Sequence, residues 1–216
     1  VKAEFEKQCA KGVAAQVDDP LVIGYFLSNE PTHEAVPKVI PTLKNMPVKR
    51  RLVQFLEEKY KTVDAYNQAW NSKAQDFKSL ESMGLPVLTK DAAADMQSFT
   101  ALFFETYYKF VSETFRKYDR NHMLIGNRWQ PGTANNEQLC RIAGRYLDVI
   151  SVNYYTYGID KDYLGRIYRW CGSKPMMLTE FYWSSSSDSG LSAFKDVNSQ
   201  EERGLAYRNY LEQAAA

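Results

Sequence analysis

Two glutamates, Glu30 and Glu180, each close an apolar run. Leu21-Val22-Ile23-Gly24-Tyr25-Phe26-Leu27-Ser28 leads into Asn29-Glu30-Pro31, and Lys174-Pro175-Met176-Met177-Leu178-Thr179 leads into Glu180-Phe181-Tyr182-Trp183. Each run reads as a buried strand that delivers a carboxylate at its C-terminal end. In a barrel of parallel strands that end is the active face, so the two carboxylates can converge although they lie far apart in the chain. A convergent pair suits cleavage of a glycosidic bond. One carboxylate, ionised, attacks the anomeric carbon, and the other, protonated, hands its proton to the leaving oxygen.

The elements that must position these groups alternate. A helix over 1–17 ends at Asp18-Asp19-Pro20, where proline stops it and launches the strand 21–28. Residues 31–47 carry Pro31, Pro37, Pro41 and Pro47 and form a loop above the strand end. Helices follow over 48–60 and, capped by Thr62, over 63–71; residues 72–89 are irregular. The longest helix covers 90–118, with Met96, Phe99, Phe103, Tyr107 and Phe110 as its stripe. Strand 122–127, helix 134–143, strand 147–153, helix 160–171, strand 175–179 and a helix from 199 complete the order. Strands alternating with helices imply right-handed crossovers and a parallel sheet, an α/β fold that suits part of a barrel of parallel strands, with a helical insertion at about 31–89. A doubly wound nucleotide-binding sheet would need a glycine loop after its first strand, and here that strand ends in Asn-Glu-Pro. Ser184 to Gly190 forms a polar lip beyond the last strand.

Composition removes other classes. With 216 residues the chain buries one ordinary core. Its 27 basic and 26 acidic residues leave a net charge of +1, with no field to attract nucleic acid or an anionic membrane, and no apolar run approaches membrane-spanning length. The three cysteines, Cys9, Cys140 and Cys171, are odd in number and far from any histidine cluster, which speaks against a metal array; neither a metal nor a cofactor is expected. Each cysteine reads as a buried thiol, with one disulfide left open. Fifteen tyrosines and four tryptophans suit a sugar site and ordinary packing alike. Val1 opens and Ala216 closes within a helical pattern, so the chain reads as a piece of a longer polypeptide, for which secretion or a periplasmic location stays open.

The motifs carry a resemblance. Asn29-Glu30-Pro31 resembles the acid/base signature on strand four of the clan of retaining glycoside hydrolases built on (β/α)8 barrels. Thr179-Glu180 resembles that clan's nucleophile on strand seven, and Val152-Asn153-Tyr154-Tyr155-Thr156 resembles strand six, where a tyrosine serves the nucleophile. The stretch over 58–70, from Glu58-Lys59-Tyr60 to Gln68-Ala69-Trp70, is similar to an insertion of β-galactosidases and β-agarases, and Arg116 to His122 resembles the turn into strand five.

The resemblance implies Glu180 as nucleophile and Glu30 as acid/base. Asn29 would bond the sugar 2-hydroxyl, and Tyr155, which shares the inward parity of Asn153, would hold Glu180. Arg128, past strand 122–127, reads as bonding sugar hydroxyls, as orienting a carboxylate or as packing, while Trp129 beside it and Trp183, past the nucleophile, read either as sugar contacts or as packing. His33 and Glu34 read as loop residues, and His122 as structural. The implied partner is an oligosaccharide or polysaccharide, first a β-galactoside or agar-type substrate. A catalytically silent carbohydrate-binding barrel and a β-glucoside or β-mannoside hydrolase are the alternatives. The resemblance spans strands four to seven, which leaves the remaining strands, an arginine on strand two and an aromatic platform on strand eight to the parent chain.

Overall fold

A computed structural model describes residues 2–188, 190 and 192–216. Val1 of the first expected helix and Ser189 of the expected lip lie outside the described residues. The chain divides into two compact units: the residues through Pro31 together with Tyr108–Ala216, and Thr32–Tyr107.

The first unit holds four short strands: β1 (Gly24–Tyr25), β2 (Met123–Leu124), β3 (Ile150–Asn153) and β4 (Met176–Glu180). β1 pairs parallel with β2, and β3 parallel with β4. A parallel bridge between Trp129 and Val152 joins the two pairs, with Trp129 N donating to Ser151 O at 2.9 Å and Asn153 N to Trp129 O at 2.9 Å. The strands therefore stand side by side in chain order, as successive strands of a (β/α)8 barrel do.

β1 is shorter than the expected 21–28, yet its backbone keeps bonding past the strand. Leu27 N donates to Gly126 O at 2.7 Å and Glu30 N to Asn127 O at 3.2 Å. Gly24 is required at the pairing line, because a Cβ there would lie 2.4 Å from Met123 O. The expectation that this run is buried on both faces fails. Leu21, before β1, is 89% exposed and Ile23 61%, and among the described residues β1 pairs with β2 alone.

Helices in this unit are α1 (Lys2–Gln8), which continues through π and 3-10 turns to Gln16, then α6 (Pro131–Ala134), α7 (Glu137–Ala143), α8 (Lys161–Trp170) and α9 (Gln200–Ala215). The helix expected over 134–143 is split, because Asn136 leaves the helical path to cap α7, its Oδ1 accepting from Leu139 N at 3.0 Å. Asp160 and Ser199 cap α8 and α9 in the same way.

The second unit holds α2 (Val36–Val39), α3 (Pro47–Tyr60), α4 (Val63–Trp70) and the first part of α5 (Lys90–Tyr118). Its core gathers Leu52, Leu56, Tyr66, Trp70, Leu80 and Phe99, all buried. α5 hides more than the expected stripe: Phe104, Tyr108 and Val111 are buried, while Phe103, Tyr107 and Phe110 are half-buried beside them. Two charged groups lie inside this unit. Lys49, fully buried, donates from Nζ to Pro41 O at 2.5 Å and Met83 O at 2.9 Å, and burial pushes its pKa down to about 8. Asp95, 1% exposed, accepts from Tyr60 OH at 2.6 Å, Trp70 Nε1 at 2.8 Å and the Lys59 ammonium.

Removing that carboxylate strands two donors in a dry interior. Asp95→Ala is therefore expected to cost about 3 kcal/mol in urea unfolding, whereas Lys59→Met, at a half-exposed position, should cost under about 1 kcal/mol. Equal effects would show that the carboxylate organises nothing.

At the N-terminal end of β2, His122 Nδ1 meets Asp119 Oδ2 at 2.7 Å and its Nε2 meets Asp19 O at 3.0 Å. Both ring nitrogens face acceptors, so the imidazolium suits the position. The Asp119 hydrogen bond raises the His122 pKa above its ordinary 6.5. For Asp119, burial alone pushes upward, but the hydrogen bonds from His122 and from the backbone N–H groups of His122 and Asn121 bring it below 3.8. The His122 contribution is complete below pH 6.5 and is lost as pH rises through the folded value; the Asp119 contribution is lost as pH falls below 3.8. The stability gap between wild type and His122→Gln should therefore be wider at about pH 5.5 than at about pH 8.5 by thermal unfolding.

Candidate active site

The C-terminal ends of the four strands bring both glutamates to one face of the first unit. Glu180 is the last residue of β4 and pairs in register with Asn153 past a register shift between Val152 and Asn153, where β4 carries one extra residue, Thr179. Its two oxygens are taken by different donors: Arg128 Nη2 reaches Oε1 and the Tyr155 hydroxyl reaches Oε2. A guanidinium and a phenol, both donating, match an ionised carboxylate, which only accepts. Burial first, then the hydrogen bond to Glu180 and the charges of Glu180 and Glu30, push the Tyr155 pKa up to about 12. The phenol is thus a neutral donor that feels both carboxylates at once.

Glu30 is held by amides. Asn153 Nδ2 donates to Oε1 at 2.8 Å, and Gln130 Nε2 to Oε2 at 2.8 Å. Asn153, fully buried, accepts from Thr179 Oγ1 at 2.7 Å, so one amide links Glu30 to the residue preceding Glu180. Asn29 is exposed, with Oδ1 3.4 Å from the same Asn153 nitrogen.

The backbone at this face is strained. Glu30 has φ of 49° and Arg128 φ of 51°, left-handed values that a side chain with a Cβ adopts only at a cost. Both are pinned by neighbouring segments, Glu30 N by Asn127 O, past the end of β2, and Arg128 N by Ser151 Oγ of β3 at 2.9 Å. Asn127 is itself clamped, accepting from Tyr108 OH at 2.9 Å and donating to Ser28 Oγ at 2.8 Å.

Of the residues singled out in the sequence, Glu30, Glu180, Asn29, Asn153, Tyr155 and Arg128 stand together. Of the two readings open for the tryptophans, the structure gives packing. Trp129 is 1% exposed, and Trp183, 2% exposed, lies between Phe181 and Tyr210. Neither offers an open ring face. His33, in the second unit, is buried against Phe104 and Tyr107, and burial pushes its pKa down to about 4. Two participants carry no sequence signal of their own. Gln130 is an unremarked residue after Trp129, and Thr179 is legible as part of a strand but not as the partner of Asn153. Among the described residues no group of three His, Cys, Asp or Glu could hold a metal ion, and no helix is long and apolar enough to cross a membrane.

Parallel strands with a carboxylate pair at their C-terminal ends define a protein of the (β/α)8-barrel class, here represented by part of a barrel. The chain belongs to the glycoside hydrolase 42 family, described as beta-galactosidase, whose pattern it matches over residues 5–216. Among solved structures it is similar to an exo-beta-agarase, with 22% identity and a TM-score of 0.86 over 98% of this chain and 30% of the other. An agarase gives 21% identity and a TM-score of 0.82 over 98% and 32%. A beta-galactosidase from the psychrophilic Marinomonas ef1 gives 18% and 0.59 over 83% and 31%. The chain thus spans about a third of the length of these structures. A comparison with curated proteins gives no match.

The left-handed backbone at Glu30 makes a stability prediction independent of chemistry. Glu30→Gly should be more stable than Glu30→Ala by about 1 kcal/mol in chemical unfolding, since glycine alone adopts that φ freely. Equal stability would mean that the backbone relaxes once the carboxylate is gone.

Proposed function

We propose that this chain carries the catalytic carboxylates of a retaining β-glycosidase acting on β-galactosides or agar-type chains. The observation that carries the reading is the unequal treatment of two neighbouring glutamates. Glu180 is gripped by a cation and a phenol, and Glu30 by two neutral amides. A double displacement needs that inequality. Glu180, ionised, attacks the anomeric carbon while Glu30 protonates the departing oxygen; the glycosyl group now sits on Glu180. Glu30, deprotonated, then takes a proton from water as the water oxygen attacks the same carbon and releases Glu180. Asn29, exposed beside this pair, is available to the sugar 2-hydroxyl, a contact that strengthens in the transition state.

The family description and the agarases among the similar structures support β-linked galactose chemistry as the substrate class. The remaining strands of the barrel are proposed to come from the polypeptide that carries this chain. Exposed Leu21, Ile23 and Phe26 beside β1 support this, as does an apolar groove of about 600 Å³ lined by Met176, Leu178, Phe181 and Leu211 beside β4. Among the described residues β1 and β4 also each keep one unpaired edge, open to a further strand.

The test uses that whole polypeptide with aryl β-glycosides and agar and plant oligosaccharides, with product anomers followed by NMR. The expected result is first-formed product of β configuration on galactosides or agar chains, and loss of turnover by at least about a thousandfold in Glu180→Gln with binding intact. Inverted product would remove Glu180 as nucleophile. Glycan binding without turnover in the wild type would make the protein a binding barrel instead.

A further inference from the structure

Glu30 must serve in two protonation states, yet its two hydrogen-bond partners are not equally able to follow it. Asn153 is locked: it is fully buried, its Oδ1 takes the Thr179 hydroxyl at 2.7 Å, and its Nδ2 lies between Glu30 Oε1 at 2.8 Å and Asn29 Oδ1 at 3.4 Å. It can only donate to Glu30. Gln130 differs. It is exposed and occupies the position that caps α6, where its side chain makes no capping bond and reaches Glu30 Oε2 at 2.8 Å instead. Pro131 at the first turn of α6 fixes the backbone and leaves the side chain free to turn.

We infer that Gln130 is the proton-responsive positioning residue of Glu30, donating N–H to its carboxylate and, with the amide turned over, accepting its O–H. The inference rests on the glycosidase reading above. An amide presents two donors on one side and an acceptor on the other, so half a turn exchanges the two roles without moving the backbone. When Glu30 is protonated and no sugar is bound, its O–H and the Gln130 N–H2 cannot both point into the same gap, and the carbonyl turns in; the glycosidic oxygen of a bound sugar then takes the O–H over from that carbonyl. When Glu30 has given its proton to the leaving oxygen, the N–H2 returns to the carboxylate, and it turns away again as Glu30 recovers a proton from water. Arg128 and Tyr155, the cation and phenol of the site, are both engaged with Glu180, the other carboxylate. Among the described residues, the Glu30 carboxylate hydrogen-bonds only to Asn153 and Gln130. Gln130 is therefore the partner able to answer a change of protonation.

The test compares wild type, Gln130→Met and Gln130→Glu in the whole polypeptide on phenyl and 2,4-dinitrophenyl β-galactosides, reading kcat/KM against pH. Dinitrophenolate departs without a proton, whereas phenolate needs one. In Gln130→Met, kcat/KM on the phenyl glycoside should fall about tenfold, with a change below about twofold on the dinitrophenyl glycoside. The alkaline limb on the phenyl glycoside should move up by about half a unit, because the bond lost from the charged carboxylate is the stronger of the two. Gln130→Glu, of the same length, should move it further up, since a second carboxylate then faces Glu30. Equal losses on both substrates, or an unmoved limb in both variants, would overturn the role of Gln130 while leaving the glycosidase reading in place. A wild type that cleaves neither these two substrates nor the agar and plant oligosaccharides would overturn the glycosidase reading, and this role with it.

Discussion

The buried amide of Asn153 is the constraint on which the site depends. It stands at the end of β3, fully buried, with its nitrogen on Glu30 and its oxygen on the hydroxyl of Thr179. Because Thr179 immediately precedes Glu180, a single side chain fixes the two carboxylates in one frame. A buried amide left half satisfied costs more than the net worth of one hydrogen bond, so each end of Asn153 enforces the other. The irregularity between Val152 and Asn153 belongs to the same device, since it brings Asn153 into register with Glu180.

Around that frame the environment separates two chemically identical residues. Glu180 lies on the side where Arg128 and Tyr155 converge, and Glu30 on the side where only amides reach it. The separation is maintained by backbone under strain. Glu30 and Arg128 both adopt positive φ, and each is held there by a hydrogen bond from the neighbouring segment rather than by its own preference. The unit formed by Thr32–Tyr107 carries its own polar centre at Asp95 and its own core.

How far the sequence reached differs from residue to residue. The apolar runs and the helical periodicity located the strands and helices, because burial imposes a pattern along the chain. Thr62, before α4, was legible as a cap for the same local reason. The stripe of α5 was legible only in part, since a helix covered on more than one side buries residues that a single stripe does not include. The tryptophans were ambiguous, since an indole suits a sugar face and a core equally, and only the exposure of 1% at Trp129 and 2% at Trp183 decides between them.

By itself, the sequence determined the order of parallel strands and the arrival of a glutamate at the end of two of them, because strand type, turn chemistry and motif are written in neighbouring residues. The pairing of Tyr155 with Glu180 was legible from strand parity and motif, whereas tertiary structure alone decided that Arg128 meets Glu180 and Gln130 meets Glu30. Arg128 joins Glu180 across 52 positions and Gln130 joins Glu30 across 100. Pairings of that length follow from the register of adjacent strands and the direction in which a strained loop turns, and neither quantity has a local signature in the chain.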